Sequence, residues 1–294
     1  MIYNASGVNC SNYEQLVQLF ESDADCVLTK SCTIEARNGN EIPRYFDTEY
    51  GSINSMGLPN LGYINYIKFG EILKKKFKKP YIISICGLTL EDNVTMVKSI
   101  NLIEEVDGIE VNLSCPNVEN KSQVGYDFET MDHYLDTINS LYSKSIGVKL
   151  PPYFDPIHFD KAASIINKYD KIKYITCINS LGNGLVVDTD TEKSVIKPKG
   201  GLGGIGGKYC LPIALSNVRQ FYLRLKDKDI IGCGGIESGD EMFQHILCGA
   251  KSVQIGTKLH QEGVKCFHRI KTEFEEIMEK KGYKSIDDFR GKLD

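Results

Sequence analysis

The sequence predicts an α/β protein folded as a (β/α)8 TIM barrel, and three observations lead to this prediction. Eight short segments rich in β-branched residues alternate along the chain with longer segments of helical period. The strand segments are almost continuously apolar, which is typical of parallel sheets that are buried on both faces. The length of 294 residues suits one barrel with insertions, and no linker divides residues 1–294 into further domains.

The predicted elements follow one another in a regular order. The predicted strands are residues 1–4, 26–29, 81–85, 108–112, 147–150, 174–178, 230–232 and 252–255. The predicted helices are residues 13–20, 62–77, 89–103, 128–142, 160–169, 211–225, 240–247 and 264–281. Two insertions stand out, because residues 37–54 combine proline, glycine and aromatic side chains, and residues 183–198 alternate like a β-hairpin. Both are expected to lie over the C-terminal face of the barrel.

Composition and charge exclude several classes of protein. A net charge of −4 without a basic stripe argues against a nucleic-acid-binding protein. The ten cysteines are scattered without CxxC spacing and most lie in apolar segments, so we expect free thiols and a cytoplasmic protein. No apolar run approaches the roughly 18 residues that span a bilayer, and no signal peptide precedes the first strand, so no membrane association is expected.

The C-terminal ends of the predicted strands carry the residues that are most informative about function, because barrel enzymes place their active sites there. These residues are Lys30, Ser31, Asn112, Cys115, Asn117, Lys149, Asn179 and Ser180, and no carboxylate is among them. Amide side chains donate and accept hydrogen bonds without titrating, and two ammonium groups add positive charge. The set therefore predicts a pocket for a planar anion, although a strand-end turn or cap would explain any single asparagine.

Glycine-rich loops after the seventh and eighth predicted strands give a second indication of function. Cys233-Gly234-Gly235 and Gly256-Thr257 stand where barrels frequently bind phosphate through backbone N–H groups. The glycine-rich residues 200–207 are weaker evidence, because a flexible loop explains them equally well. A phosphate site without acidic partners suggests a mononucleotide cofactor and no metal ion.

Cys115 is the candidate nucleophile or general base. It follows a strand end and precedes Pro116, which favours a loop, and its neighbours in the sequence are polar. The alternative is an inert core thiol, since the chain has ten cysteines. All five histidines fall in helical segments, none has metal-ligand spacing, and we interpret them as structural.

At these positions the sequence resembles class 1A dihydroorotate dehydrogenases, the soluble, fumarate-linked branch of that family. The resemblance extends over nearly the whole chain and is carried by long motifs. These are Asn4-Ala5-Ser6-Gly7-Val8, Thr29-Lys30-Ser31, Gly51-Ser52-Ile53-Asn54-Ser55-Met56-Gly57-Leu58-Pro59-Asn60, Asn112-Leu113-Ser114-Cys115-Pro116-Asn117, Gly147-Val148-Lys149-Leu150-Pro151-Pro152, Ile178-Asn179-Ser180 and Gln254-Ile255-Gly256-Thr257. The resemblance implies oxidation of (S)-dihydroorotate to orotate in pyrimidine (UMP) biosynthesis, with FMN as cofactor and fumarate, reduced to succinate, as oxidant.

The resemblance also implies a role for each candidate residue. FMN would be held by Ala5, Ser6, Gly7, Lys30, Ser31, Asn112, Lys149, Asn179, Gly206, Gly207, Cys233, Gly234, Gly235, Gly256 and Thr257. Dihydroorotate would be bound by Lys30, Asn54, Met56, Gly57, Leu58, Asn112, Asn117, Asn179 and Ser180. Cys115 would take the proton from C5 of the substrate while hydride leaves C6, with Lys30, Asn112 and Lys149 as the other catalytic residues. Lys149 would stabilise negative charge that develops on the flavin.

The same resemblance implies partners and leaves alternatives open. The partners would be small molecules, without nucleic acid or membrane, and a second copy of the chain in a homodimer. Only three residues precede Asn4, where the family usually carries a longer hairpin under the barrel, so the barrel bottom is expected to close differently if that hairpin is absent. Three alternatives remain: the NAD-linked branch, which needs an iron–sulphur and FAD subunit; a non-redox barrel enzyme for a phosphorylated substrate; and an inactive flavin-binding protein.

Overall fold

The computed structural model describes residues 1–114 and 123–293. Its strands in chain order are β1 (Ile2–Asn4), β2 (Val27–Leu28), β3 (Tyr45–Thr48), β4 (Gly51–Asn54), β5 (Tyr81–Ile85), β6 (Gly108–Asn112), β7 (Ser145–Lys149), β8 (Ile172–Cys177), β9 (Leu181–Leu185), β10 (Val187–Asp188), β11 (Lys193–Ser194), β12 (Leu202–Gly206), β13 (Asp229–Cys233) and β14 (Ser252–Ile255). Its α-helices are α1 (Tyr13–Glu21), α2 (Tyr63–Lys76), α3 (Leu90–Asn101), α4 (Phe128–Leu141), α5 (Pro156–Asn167), α6 (Leu211–Tyr222), α7 (Gly239–Cys248), α8 (Thr257–Glu262) and α9 (Lys265–Lys281).

Eight strands form a parallel sheet in the order β1-β14-β13-β8-β7-β6-β5-β2. Helices alternate with these strands, and their apolar faces and the strands form one buried core around the sheet. The (β/α)8 barrel that the sequence predicts is therefore confirmed. Predicted strands 81–85, 108–112 and 252–255 have the observed bounds, and the other five differ by one or two residues at an end.

The seam between β1 and β2 is closed by side chains. The buried Asn4 amide donates to the Leu28 carbonyl oxygen at 2.6 Å, and its oxygen accepts from the Leu28 N–H at 3.0 Å. At the start of the same seam, the Asp25 carboxylate accepts from the Ile2 N–H at 2.8 Å, and the Asp25 N–H donates to the Ile2 carbonyl oxygen at 2.8 Å. Asn4 thus takes the place of a backbone rung and completes the ring of strands.

We expect Asn4→Ala to destabilise the barrel by about 2–4 kcal/mol, because it leaves both backbone groups of Leu28 buried without their partner. The measurement is the free energy of unfolding in urea. Asn65→Ala is the matched control: the exposed Asn65 side chain donates to the nearby Leu61 carbonyl oxygen, and its loss should change stability by less than about 0.5 kcal/mol. Equal unfolding free energies for the Asn4 variant and the unmodified chain would contradict this account of the seam.

Local capping signals determine where helices begin. Thr89 and Asp92 form a capping box at the start of α3. Helix α5 starts at Pro156, after the Asp155 cap, four residues before the predicted start at 160. The sequence pattern does not predict α8 at all, because its six residues are too few to show a helical period.

An antiparallel sheet in the order β3-β4-β12-β9 lies beside the barrel at the C-terminal ends of its strands. Insertion 37–54 supplies β3 and β4; it was expected to lie over the C-terminal face of the barrel, but no strands were predicted in it. The flexible-loop interpretation of residues 200–207 is wrong, because this run contains β12, which pairs with both β4 and β9. The predicted hairpin at 183–198 is confined to the two-residue strands β10 and β11. Glycine at 204 allows β12 to pass close to Ser180, since a Cβ there would lie 2.2 Å from Ser180 Oγ.

The nine cysteines in the described part of the chain are all free and buried. Burial of a thiol without a disulfide agrees with the expectation that these residues act as small apolar side chains. Within residues 1–114 and 123–293, no helix is both long enough and apolar enough to cross a membrane.

Candidate active site

A cavity of about 370 Å³ opens at the C-terminal ends of the barrel strands. Most residues that the sequence singles out line it: Ala5, Ser6, Gly7, Lys30, Ser31, Asn54, Met56, Leu58, Asn112, Lys149, Asn179, Ser180, Gly206, Gly207, Cys233, Gly234, Gly235, Gly256 and Thr257. Gly57 is not part of the lining; it lies against Asn40, whose Oδ1 would be 2.3 Å from a Cβ at position 57. Cys115 and Asn117 lie outside the described residues.

Hydroxyl and amide groups from neighbouring strands form a continuous chain of hydrogen bonds along one wall. Ser31 Oγ is 2.9 Å from both Ser6 Oγ and Ser84 Oγ. The Asn112 amide, at the end of β6, donates to Ser31 Oγ at 3.1 Å. These contacts join the ends of four strands and hold each polar group in one orientation.

A second group of amides continues this wall toward β8. The Asn179 amide donates to Ser114 Oγ at 2.6 Å and lies 3.4 Å from Asn112 Oδ1. Asn112 Oδ1 also accepts from the Ser114 N–H at 3.1 Å, so the orientation of the Asn112 amide is determined at both ends. Because the two asparagines are held by their neighbours, their remaining donors and acceptors are preorganised for a ligand.

Lys30 extends into the cavity past Gly7. A Cβ at Gly7 would be 3.0 Å from Lys30 Nζ, and the Gly7 backbone has φ +113°, a conformation that favours glycine. The Lys30 side chain is 8% exposed, so its ammonium group acts in an environment that is largely shielded from water. The Asn4–Gly7 motif therefore makes room for this cation.

Lys149, at the end of β7, is the second cation and is 4% exposed. Its Nζ donates to Gln254 Oε1 at 3.0 Å and lies 3.3 Å from Cys233 Sγ. The Gln254 amide in turn donates to Glu110 Oε2 at 2.8 Å, and Thr176 Oγ1 donates to the same oxygen at 2.8 Å. A buried carboxylate inside the barrel thus orients the glutamine that orients the lysine.

Glycine loops form the opposite wall. A Cβ at Gly207 would lie 2.3 Å from Gly51 Cα, and one at Gly235 would lie 2.5 Å from Leu211 Cβ. Both glycines also have positive φ, of +79° and +77°. Nearby, Ser52 Oγ and Thr257 Oγ1 are 3.1 Å apart at the start of α8. Backbone N–H groups and hydroxyls in such loops could cradle a phosphate.

Two thiols beside the cavity are poor candidates for acid–base chemistry. Burial raises the pKa of Cys10 to about 11 and that of Cys210 to about 12. Both thiols therefore stay protonated near neutral pH. These two cysteines thus agree with the expectation that most cysteines of this chain are inert, although both lie close to the cavity.

The cavity is also lined by residues to which the sequence assigned no role in the site: Val8, Asn9, Ser11, Gln15, Tyr45, Ser52, Ile178, Cys210, Ile236, Glu237, Gln254, Lys258 and His260. Gln254 could have been found, because it is a large polar residue within a fully buried strand and it stands in one of the family motifs. Glu237 adds a carboxylate beyond the end of β13, where no carboxylate was expected, and Lys208 Nζ lies 3.6 Å from it. His260 and Lys258 lie on α8, which the sequence pattern does not predict.

The assembled groups suit a large anionic ligand. Two shielded ammonium groups and oriented amides lie on one side, and glycine loops lie on the other. In the described ranges, no group of three or more histidine, cysteine, aspartate or glutamate side chains could hold a metal ion. The cavity is therefore equipped for binding through hydrogen bonds and positive charge.

Comparison with known proteins agrees with this geometry. The family model described as "Dihydroorotate dehydrogenase" matches residues 1–278. The chain is 51% identical over 292 residues to the dihydroorotate dehydrogenase (fumarate) of Trypanosoma brucei brucei, covering 99% of this chain and 93% of that protein. It is 52% identical over 295 residues to the dihydroorotate dehydrogenase A (fumarate) of Lactococcus lactis subsp. lactis, covering 99% and 94%. A crystal structure of DHODH from Eimeria tenella in complex with ferulenol shares the fold, with a TM-score of 0.82, 18% identity, and coverage of 99% of this chain and 84% of that one.

Proposed function

The chain belongs to the dihydroorotate dehydrogenase family, and from this premise we propose that it oxidises (S)-dihydroorotate to orotate in pyrimidine (UMP) biosynthesis and passes the electrons to fumarate. The observation that carries the proposal is one cavity that combines Lys30 and Lys149 with oriented amides and glycine loops. Orotate and fumarate are both flat carboxylates, and ammonium and amide groups bind carboxylates well.

We propose FMN as the flavin that this family requires. The fit rests on Gly207 and Gly235, which line the cavity. A Cβ at either position would clash with Gly51 or Leu211, so bare backbone forms this wall, and backbone N–H groups are the usual ligands of a phosphate. The phosphate would be held by Gly206, Gly207, Cys233, Gly234, Gly235, Gly256 and Thr257. The ring would be held by Ala5, Ser6, Gly7, Lys30, Ser31, Asn112, Lys149 and Asn179. When bound, the flavin supplies a two-electron acceptor for dihydroorotate and a two-electron donor for fumarate.

The residues of the chain would orient the substrate and move its proton. Lys30 and the backbone of Met56, Gly57 and Leu58 would bind the substrate carboxylate. The pyrimidine ring would be bound by Asn54, Asn112, Asn117, Asn179 and Ser180. Cys115 would act as the general base that takes the C5 proton, and the amides would stabilise the enolate-like charge left on the substrate.

The test is an anaerobic titration of the purified protein. We expect the protein to be yellow, its flavin absorbance to fall when dihydroorotate is added, and the absorbance to return when fumarate follows. No partner subunit should be needed, which distinguishes the fumarate-linked reaction from the NAD-linked one. A colourless protein that takes up no flavin would contradict the redox function and favour an enzyme for a phosphorylated substrate. A yellow protein that keeps its absorbance with dihydroorotate would indicate an inactive flavin-binding protein.

We further propose that residues 1–294 act as one catalytic domain, in the cytoplasm and as a homodimer. The free cysteines of the described residues support a reducing compartment. The homodimer rests on the family, and light scattering on the purified chain tests it through the mass of the particle.

A further inference from the structure

A buried histidine lies directly behind one of the glycine loops of the cavity. His245, on α7, has no exposed surface, and its Nε2 is 3.1 Å from the Gly234 carbonyl oxygen. A carbonyl oxygen can only accept a hydrogen bond, so Nε2 carries the proton and donates it. Burial lowers the pKa of His245 to about 4, which keeps the ring neutral near neutral pH.

The position of the ring depends on a second glycine. A Cβ at Gly232, on β13, would lie 2.3 Å from His245 Nδ1, so a side chain there would displace the ring. Nδ1 is buried and has no hydrogen-bond partner in the part of the chain that the structure describes. An apolar residue at 245 would avoid the cost of burying that nitrogen. The hydrogen bond to the Gly234 carbonyl oxygen is therefore the interaction that accounts for a polar residue at position 245.

This contact determines which way the loop presents its next N–H group. The Gly234–Gly235 peptide is trans, and in a trans peptide the C=O and the following N–H point in opposite directions. Because His245 holds the Gly234 carbonyl on the α7 side, the Gly235 N–H is directed away from α7. Both glycines line the cavity, and neither has a side chain that would restrict rotation of this peptide.

We propose that His245 is a positioning residue for the cofactor phosphate: by holding the Gly234 carbonyl, it keeps the Gly235 N–H turned toward the phosphate of FMN. The inference rests on the proposed function and deepens it, because it assigns phosphate recognition to a side chain outside the cavity. FMN and riboflavin share the ring and the ribityl chain, but riboflavin has no phosphate. Replacing His245 should therefore weaken the binding of FMN and leave the binding of riboflavin nearly unchanged.

The test measures both affinities by fluorescence titration of the full chain after its flavin has been removed. His245→Phe removes the donor, and His245→Asn ends near the position of Nδ1, too short to reach Gly234. His245→Gln places an amide nitrogen close to the position of Nε2. We expect the Phe and Asn variants to bind FMN roughly tenfold or more weakly, because the Gly235 N–H would no longer be held in place to donate to the charged phosphate. Riboflavin affinity should be unchanged. The Gln variant should bind FMN as the unmodified chain does.

Three results would overturn the inference. If the Phe and Asn variants keep the preference of the unmodified chain for FMN over riboflavin, His245 does not position the loop, and the proposed function is unaffected. If every variant, including Gln, loses both flavins together with a lower melting temperature, the role of His245 is only structural. If the unmodified chain itself shows no preference for FMN, both the inference and the proposed cofactor fail.

Discussion

Cys115→Ala should lower turnover of dihydroorotate by about 10²–10⁴-fold, the usual cost of removing a general base. Cys115 follows Ser114 in the chain, and Ser114 is hydrogen-bonded to Asn112 and Asn179 at the cavity wall. Because the substitution removes a thiol without removing positive charge or an amide, FMN content should stay unchanged. The measurement is the steady-state rate together with the flavin absorbance of the purified variant.

Two further variants make this result specific. Cys115→Ser should have intermediate activity, because a hydroxyl is a poorer base than a thiol near neutral pH. Cys210→Ala is the matched control: this thiol also lines the cavity, but burial raises its pKa to about 12, so its removal should leave most turnover intact. Near-full activity of Cys115→Ala, or an equal loss in Cys210→Ala, would reject Cys115 as the base.

Lys149→Met should weaken FMN binding and slow flavin reduction together, each measured on the reconstituted protein. Methionine keeps much of the stem of the side chain but removes the charge that would stabilise the flavin as it accepts electrons. Loss of one such preorganised group typically costs about 10²–10³-fold in rate. The variant also leaves Gln254 Oε1 without the ammonium group that it accepts from at 3.0 Å.

The control for this prediction is Lys173→Met. Lys173 is exposed on β8 and donates to the Asp170 carbonyl oxygen at 2.8 Å, and neither residue lines the cavity. Its loss should leave both FMN affinity and reduction rate unchanged. If Lys149→Met binds FMN normally and is reduced at the native rate, the placement of Lys149 at the flavin is wrong.

Much of the barrel and of the cavity could be predicted from the sequence because both follow from local patterns. Each barrel strand is an apolar run, and a polar residue such as Lys30, Asn112 or Lys149 stands where that run ends. The parallel arrangement then brings those ends to one face, whatever the details of packing. This is why nearly all of the expected residues in the described chain lie around one cavity.

The remainder depends on contacts between distant segments. Three of the five residues of strand β12 are glycine, and the strand forms because it pairs with β4 and β9, which the local sequence does not predict. Gln254 and Glu110 lie within strands that are distant in sequence, and the closed barrel brings Gln254 to both Glu110 and Lys149. Helix α8 is too short to show a period, so Lys258 was missed with it, and His260, which the sequence led us to interpret as structural, lines the cavity.

The pairing of the first strand with the last has a consequence for biosynthesis of the chain. Tyr3 of β1 lies beside Gln254 of β14, 251 residues later, and Ala5–Gly7 follow β1 directly into the wall of the cavity. Such distant contacts form slowly, and a ribosome releases β14 only near the end of translation. The edge of β1 that pairs with β14 must therefore stay open until the last barrel strand emerges, even though the other edge can already bond to β2. The wall of the cavity that Ala5–Gly7 supply is complete only when β14 has paired with β1.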